Sequence, residues 1–217
     1  MRKLTRNTLA TAAVTTMALG LTAAPALAAT FTVTGGTSIT GSASEPLAAT
    51  VARTGAFATC DTATASGTAV NGSGLSGTAV ASLTAASFSD STTIDGRCPA
   101  STGAVGTLTA NNLPWSFNVT SVSGGVATGT LTGVKATAAF SDGCTIVATG
   151  PGGGGGTING TYTNASGELR VLPGGAGSNL VVTSATGCNV NDAQAGDALE
   201  LDGAYTVSPK LTITQQS

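Results

Sequence analysis

The sequence predicts an all-β protein, an antiparallel β-sandwich or barrel built from two pseudo-repeated halves. Short segments repeatedly alternate apolar and polar residues, which is typical of strands with one buried face. Clusters of Gly, Asn and Ser that favour turns separate these segments. Helical spacing is nearly absent after residue 28, and each of the chain's 31 glycines would cost a helix up to about 1 kcal/mol.

A secretory signal peptide is predicted over residues 1–28. Arg2, Lys3 and Arg6 precede an apolar run over about 9–21, and A-L-A at 26–28 matches a small-residue cleavage site. We therefore expect the mature protein to be secreted into a compartment that permits disulfide bonds.

Cleavage after Ala28 leaves residues 29–217, enough for a single all-β domain with a buried core. Loss of the leader lowers the 8 basic residues to 5 against 10 acidic ones, a net charge of −5. The remaining basic residues stand singly: Arg53, Arg97, Lys135, Arg170 and Lys210. Nucleic acid is therefore a disfavoured partner, and no further apolar run is long enough for a membrane span.

The individual elements follow the alternation along the chain. Strand patterns occur in F-T-V-T at 31–34, S-F-N-V-T at 116–120, T-L-T at 130–132, Y-T-V at 205–207 and L-T-I-T at 211–214. Turn signals fall at S-G-G 123–125 and N-A-S-G 164–167. The run 150–157 is Gly-rich but lacks the lysine of a phosphate loop, so we interpret it as a flexible hairpin tip.

A weak internal repeat divides the domain into halves of about 29–114 and 115–203, with closing strands over 204–217. The rare residues recur at similar separations: Phe31 and Phe117 by 86, Phe57 and Phe140 by 83, Cys60 and Cys144 by 84, and Cys98 and Cys188 by 90. Duplication explains these separations. The alternative is that a chain so rich in Thr, Gly and Ala resembles itself by chance.

Equivalent halves would favour the disulfides Cys60–Cys98 and Cys144–Cys188 among the three connectivities that four cysteines allow. Each bridge would close a loop of about 40 residues and contribute roughly 3 to 4 kcal/mol. The even count and the secretory leader indicate that the cysteines are structural.

Recognisable catalytic chemistry is missing from the sequence. The chain has no histidine, which removes the Ser-His-Asp and Cys-His systems and the usual zinc sites. Paired carboxylates remain the one open enzyme route, but the candidates sit mostly in turn-like contexts where Asp caps the backbone. They are Asp61, Asp90, Asp95, Asp142 and Glu168. We predict no catalytic residue and no cofactor.

The densest polar cluster follows Cys188 and contains Asn189, Asn191, Asp192, Asp197, Glu200 and Asp202. Oxygen ligands on a loop would suit calcium. Their spacing matches no EF-hand loop, however, and a solvated acidic loop is the favoured interpretation.

The single tryptophan, Trp115, lies in an alternating run with Phe117 and Val119 on the same strand face. Such a face forms either a contact platform for a sugar or apolar ligand, or ordinary core. The core is the favoured interpretation because a large apolar ring gains most from burial.

Several segments resemble a group of small secreted β-proteins of actinobacteria that have no assigned activity. The resemblance covers the mature chain and rests on these segments: A-P-A-L-A at 24–28, F-T-V-T-G-G-T at 31–37, N-G-S-G-L-S-G-T at 71–78, L-P-W-S-F-N-V-T at 113–120 and A-Y-T-V-S-P at 204–209. It implies an extracytoplasmic β-protein and carries over no functional residues.

We predict a secreted or cell-envelope protein with a non-enzymatic structural or interaction role, its partner a cell-wall component or a small molecule. The alternative is a carrier of a small apolar molecule or sugar. A filled interior would favour the structural role, whereas a closed barrel or cleft lined by Trp115 and the phenylalanines would favour the carrier.

Overall fold

The computed structural model describes residues 29–216, so the predicted signal peptide lies outside the described residues. Sixteen strands follow one another: β1 (Thr30–Thr34), β2 (Ser38–Val51), β3 (Phe57–Cys60), β4 (Thr62–Ala69), β5 (Gly72–Leu75), β6 (Ala81–Ser89), β7 (Cys98–Pro99), β8 (Val105–Asn111), β9 (Trp115–Ser123), β10 (Val126–Phe140), β11 (Thr145–Thr149), β12 (Gly156–Thr163), β13 (Glu168–Leu172), β14 (Val181–Thr186), β15 (Leu199–Ser208) and β16 (Thr212–Gln216).

Eight of these strands close into an antiparallel barrel. Their order is β12-β13-β15-β2-β4-β6-β9-β10, and β10 pairs back onto β12 to complete the circle. The predicted all-β class is therefore confirmed, and of the two predicted architectures the structure is a barrel. A closed barrel leaves no unpaired edge among its eight strands.

The barrel has a second level. The interruptions between β8 and β9 and between β11 and β12 each divide one long strand into two consecutive strands. β9 pairs with the first half of β10, and β8 pairs with its second half. On the other side of β10, β12 and β11 divide the strand in the same way. We call the closed eight-stranded level the lower half and the level containing β3, β7, β8, β11 and β14 the upper half.

The glycine run at 150–157 corrects one prediction. It is not a hairpin tip, because β11 and β12 on either side of it both run antiparallel to the same strand, β10. The run is an interruption within one long strand and contains a single 3-10 turn at Pro151–Gly153. The Cα of Gly133 lies within 2.6 Å of where a Cβ on Gly155 would stand, so this approach of two backbones requires glycine.

A small three-stranded sheet, β16-β1-β5, covers the end of the lower half. Its apolar residues Phe31, Val33 and Ile213 are buried in the same core as the barrel interior. We call this the closed end. The predicted strands at 31–34 and 211–214 are thus present, and they pair with each other.

Both disulfides lie in the upper half. Cys60 at the end of β3 is bonded to Cys98 in β7, and Cys144 before β11 is bonded to Cys188 after β14. These are the two pairs that the repeat favoured. The duplication itself stays a prediction.

Candidate functional site

The interior of the barrel encloses a cavity of about 200 Å³. Protein interiors usually contain few voids larger than a water molecule, so this volume is unusual. Seven of the chain's eight aromatic residues line it: Phe57, Phe88, Trp115, Phe117, Phe140, Tyr162 and Tyr205. The concentration of nearly all the aromatic surface on one cavity makes it the candidate site.

Strand alternation explains why the lining is apolar. Successive residues point to opposite faces of a strand, and in β12 every second residue from Gly156 to Tyr162 is buried. The aliphatic side chains of the lining include Ile39, Leu47, Val51, Leu83, Leu108, Leu131, Val134, Ile146, Ile158, Leu169, Val171, Leu201 and Val207. The cavity is therefore the inward face of the barrel strands.

Small residues at inward positions leave the space open. Ala49, Ala65, Ala86, Ala136 and Ala138 all line the cavity, at positions where a larger aliphatic side chain would occupy part of it. As a result, several inward side chains, such as those of Leu83, Phe88 and Leu201, keep partial exposure rather than full burial. The barrel is hollow because its sequence places alanine on the inner wall of several strands.

The cavity reaches solvent at the upper end. The exposed lining residues of that half are Phe57, Ser101, Thr102, Asp142 and Asn189, all in or beside the upper loops. At the opposite end, Leu211 and Ile213 belong to the lining and are buried. We call the upper opening the mouth.

Four segments form the rim of the mouth: 53–57, 101–105, 141–144 and 188–192. The Phe57 amide donates to Ser101 Oγ at 3.1 Å, and the Ser101 amide donates to the Phe57 carbonyl at 2.8 Å. The Ser141 amide donates to the Val105 carbonyl at 2.9 Å. The disulfide Cys144–Cys188 joins the third segment to the fourth.

Thr54 closes this ring by donating from Oγ1 to the Asp192 carbonyl at 2.8 Å. Arg53 also reaches the fourth segment, with Nη2 donating to the Val190 carbonyl at 2.8 Å. Each segment is thus bound to the next all the way around the mouth. Hydrogen bonds and one disulfide therefore connect the rim around its whole circumference.

Arg53 forms a two-pronged ion pair with Asp197. Its Nε lies 2.6 Å from Oδ1, and its Nη2 lies 2.8 Å from Oδ2. Asp197 is buried and also accepts a hydrogen bond from the Gln194 amide at 2.9 Å. The hydrogen bonds from Arg53, followed by the one from Gln194, hold the pKa of the Asp197 carboxyl below its usual value.

The two tyrosines of the lining are used differently. The Tyr162 hydroxyl is hydrogen-bonded to both backbone groups of Leu211. The Tyr205 hydroxyl takes part in none of the hydrogen bonds found within residues 29–216. Desolvation by burial raises the pKa of Tyr205 to about 12.

The structure places Trp115 and Phe117, singled out from the sequence, in the core, as the favoured interpretation predicted; a ligand contact stays a prediction. Both are buried core residues, and both line the cavity. The Trp115 indole Nε1 donates to the Asn111 carbonyl at 3.1 Å, which fixes the ring against the wall. Sequence reasoning did not single out Tyr205, although the Y-T-V alternation assigned it to the buried face of its strand.

The acidic cluster after Cys188 does not converge on one point. Asp197 is paired with Arg53. Asp202 Oδ1 lies 3.6 Å from Arg170 Nη2, and Arg170 also pairs with Glu45. Across the part of the chain that the structure describes, no group of three or more His, Cys, Asp or Glu side chains has the arrangement of a metal site.

Three of the five carboxylates considered for catalysis accept hydrogen bonds from backbone amides in turns. Asp61 accepts from the backbone and hydroxyl of Ser91, Asp90 accepts from the Thr92 amide at 2.9 Å, and Asp142 accepts from the Cys144 amide at 3.0 Å. The predicted capping role is confirmed for these three. Asp95 instead pairs with Arg97 on the surface.

Comparison with family models, curated proteins and solved structures gave no match. The resemblance to secreted actinobacterial proteins therefore stays a prediction. No helix among residues 29–216 has the length and apolar character needed to cross a membrane.

Proposed function

We propose that the protein is a secreted carrier of a small apolar molecule, which it holds inside the barrel. The observation that carries this proposal is the hollow interior: about 200 Å³ enclosed by apolar side chains within a closed barrel. Eight strands make a barrel whose interior is either filled by side chains or able to hold one small ligand. Side chains that border an open volume lack packing contacts on that side, and an apolar ligand would supply those contacts.

The character of the lining supports the same proposal. Ligand sites are concave, mostly apolar and rich in aromatic residues, with a few polar groups that fix orientation. Seven aromatic rings and the Tyr205 hydroxyl, which joins none of the hydrogen bonds found between residues 29 and 216, fit this description. The structural or interaction role expected from the sequence would have been favoured by a filled interior, and it stays a prediction.

Export is the second part of the proposal. Two disulfides are consistent with an oxidising compartment, and the charged, apolar and small-residue stretches before position 29 have the order of a secretory leader. We expect cleavage after Ala28, release outside the cytoplasm and no catalytic turnover of the bound molecule.

The proposal is tested by filling the cavity from one strand. Ala138 points inward and lines the cavity, whereas its neighbour Ala139 points outward and is exposed. Ala138→Leu should therefore remove binding of cumene, an uncharged aromatic hydrocarbon, as measured by calorimetry and by the emission of Trp115. Ala139→Leu makes the same chemical change on the other face and should leave binding intact.

Two results would count against a carrier. One is a wild-type protein that takes up no cumene. The other is equal loss of binding in both leucine variants, which would place the hydrocarbon somewhere other than the barrel interior.

A further inference from the structure

Tyr205 lies on the inner wall of the lower half. Its cross-strand partners are Leu169 in β13 and Ala43 in β2, and Leu169 also lines the cavity. The next residue along the strand, Thr206, is exposed on the outer face. This alternation directs the Tyr205 ring into the barrel.

The hydroxyl of Tyr205 has no protein partner but remains reachable. Among the hydrogen bonds formed within 29–216, none involves it, while no fully buried side-chain polar atom there lacks a partner. The Tyr205 oxygen is therefore not fully buried, and Tyr205 belongs to the cavity lining. The comparable hydroxyl of Tyr162 is fully engaged by the Leu211 backbone.

The charges of the lining exclude an ionised ligand. Among residues 29–216, no lysine or arginine lines the cavity, and the two carboxylates of the lining, Asp142 and Asp192, belong to the rim. A negatively charged ligand would pass two like charges and then meet no compensating cation. A positively charged one would lose its hydration in the apolar interior without a partner there.

From this juxtaposition, and resting on the proposed carrier function, we infer that the ligand is a neutral, otherwise apolar molecule whose single carbonyl oxygen accepts a hydrogen bond from the Tyr205 hydroxyl. The remaining surface of the ligand contacts the aromatic and aliphatic wall.

A carbonyl fits better than an alcohol because a phenol that stays protonated donates one hydrogen bond. Burial raises the pKa of Tyr205 to about 12, so the proton is retained at physiological pH. A carbonyl oxygen brings no donor of its own. An alcohol would bring an O–H group that this apolar wall leaves unpaired, at a cost.

The cavity volume limits the size of the ligand. An apolar cavity of about 150 Å³ holds benzene, so the 200 Å³ found here suits a substituted ring or a compact aliphatic molecule of similar bulk. Acetophenone, cumene and benzoate are nearly equal in size and differ in carrying a carbonyl, no polar atom or a carboxylate. Their relative affinities therefore distinguish a neutral hydrogen-bond acceptor, a purely apolar ligand and an anion.

The test is calorimetric titration of these three compounds into the wild-type protein and into Tyr205→Phe. We expect acetophenone and cumene to bind and benzoate to bind at least about tenfold more weakly than acetophenone. Tyr205→Phe should weaken acetophenone by about three- to tenfold and change cumene by less than about twofold. Thr206→Val, which removes an exposed hydroxyl on the outer face of the same strand, should leave the ratio of the two affinities unchanged.

The outcomes separate this inference from the proposed function. Binding of cumene together with unchanged acetophenone affinity in Tyr205→Phe would overturn the role of the hydroxyl and leave the carrier standing. Tightest binding by benzoate would overturn the neutral ligand. Failure of both neutral compounds to bind the wild type would overturn the carrier and this inference with it.

Discussion

The Tyr162 hydroxyl accepts a hydrogen bond from the Leu211 amide at 2.7 Å and donates one to the Leu211 carbonyl at 3.0 Å. One side chain of the barrel wall thus satisfies both backbone groups of a residue in the segment that leads into β16. Asn164 repeats the arrangement with Ile213, accepting from its amide at 2.9 Å and donating to its carbonyl at 2.8 Å. These two side chains help to hold the closed end to the barrel, together with the Val122 amide, which donates to Gln215 Oε1 at 2.9 Å, and the shared apolar core.

Tyr162→Phe should destabilise the protein by about 1 to 3 kcal/mol, because it leaves the buried amide and carbonyl of Leu211 without their partner. Chemical denaturation of the wild type and the variant measures the difference. A variant as stable as the wild type would show that water replaces the hydroxyl and that the contact adds little.

Tyr205→Phe should have the opposite effect and stabilise the ligand-free protein by up to about 1 kcal/mol. The reason is that the Tyr205 hydroxyl is partly desolvated among apolar side chains without a protein partner, which costs free energy, and phenylalanine removes the hydroxyl while keeping the ring. Thermal unfolding without ligand measures the change. A loss of stability would indicate a structural role for the hydroxyl, contrary to its assignment to the ligand.

The ion pair between Arg53 and Asp197 should make stability depend on pH in the acid range. Because the pKa of Asp197 is lower in the folded protein than in the unfolded chain, its contribution is fully present above the unfolded value of about 3.9 and is lost as the pH falls through the folded value. Asp197→Asn should therefore be less stable than the wild type at pH 7, with the difference shrinking below about pH 4.

Urea unfolding across this pH range provides the measurement for Asp197→Asn. Asp95→Asn is the matched control, since it removes the exposed partner of Arg97 and should change stability by less than about 1 kcal/mol. An Asp197 variant whose deficit persists unchanged at pH 2 would contradict the assignment to a titrating carboxylate.

Peptide mapping of the unreduced protein should recover the linked pairs Cys60–Cys98 and Cys144–Cys188. Replacing either pair by alanine should cost about 3 to 4 kcal/mol, because each bridge restricts the unfolded chain over a loop of similar length. A peptide joining Cys60 to Cys144 would contradict both the pairing and the described path of the upper strands.

The sequence-based predictions succeeded where the information was local. Period-two alternation predicted the strands around Phe31, Phe117 and Tyr205. Burial of one strand face imposes this alternation on consecutive residues, so a short segment is enough to show it. The prediction of a hairpin tip at 150–157 was wrong because the two flanking strands share one partner, β10, and this pairing is a long-range property. Glycine signals a sharp turn equally in a hairpin and in an interrupted strand.

The cavity was not predictable for a related reason. Alternation identifies Ala136 and Ala138 as inward-facing, but whether space remains beside them depends on what the opposite wall contributes. That wall comes from strands distant in sequence, such as β2 and β15, and the ring that brings them opposite β10 is not visible in local alternation. The same limit applies to Tyr205, because whether its hydroxyl has a hydrogen-bond partner depends on neighbours from other strands.

Thr30 and Gln216 are cross-strand partners in the sheet at the closed end. Both ends of the described chain therefore emerge together, on the far side of the barrel from the mouth. A fusion partner, an affinity tag or a solid support attached at either terminus would leave the opening unobstructed and every molecule facing the same way. A short linker would also suffice to join the two ends into a cyclic polypeptide without crossing the entrance.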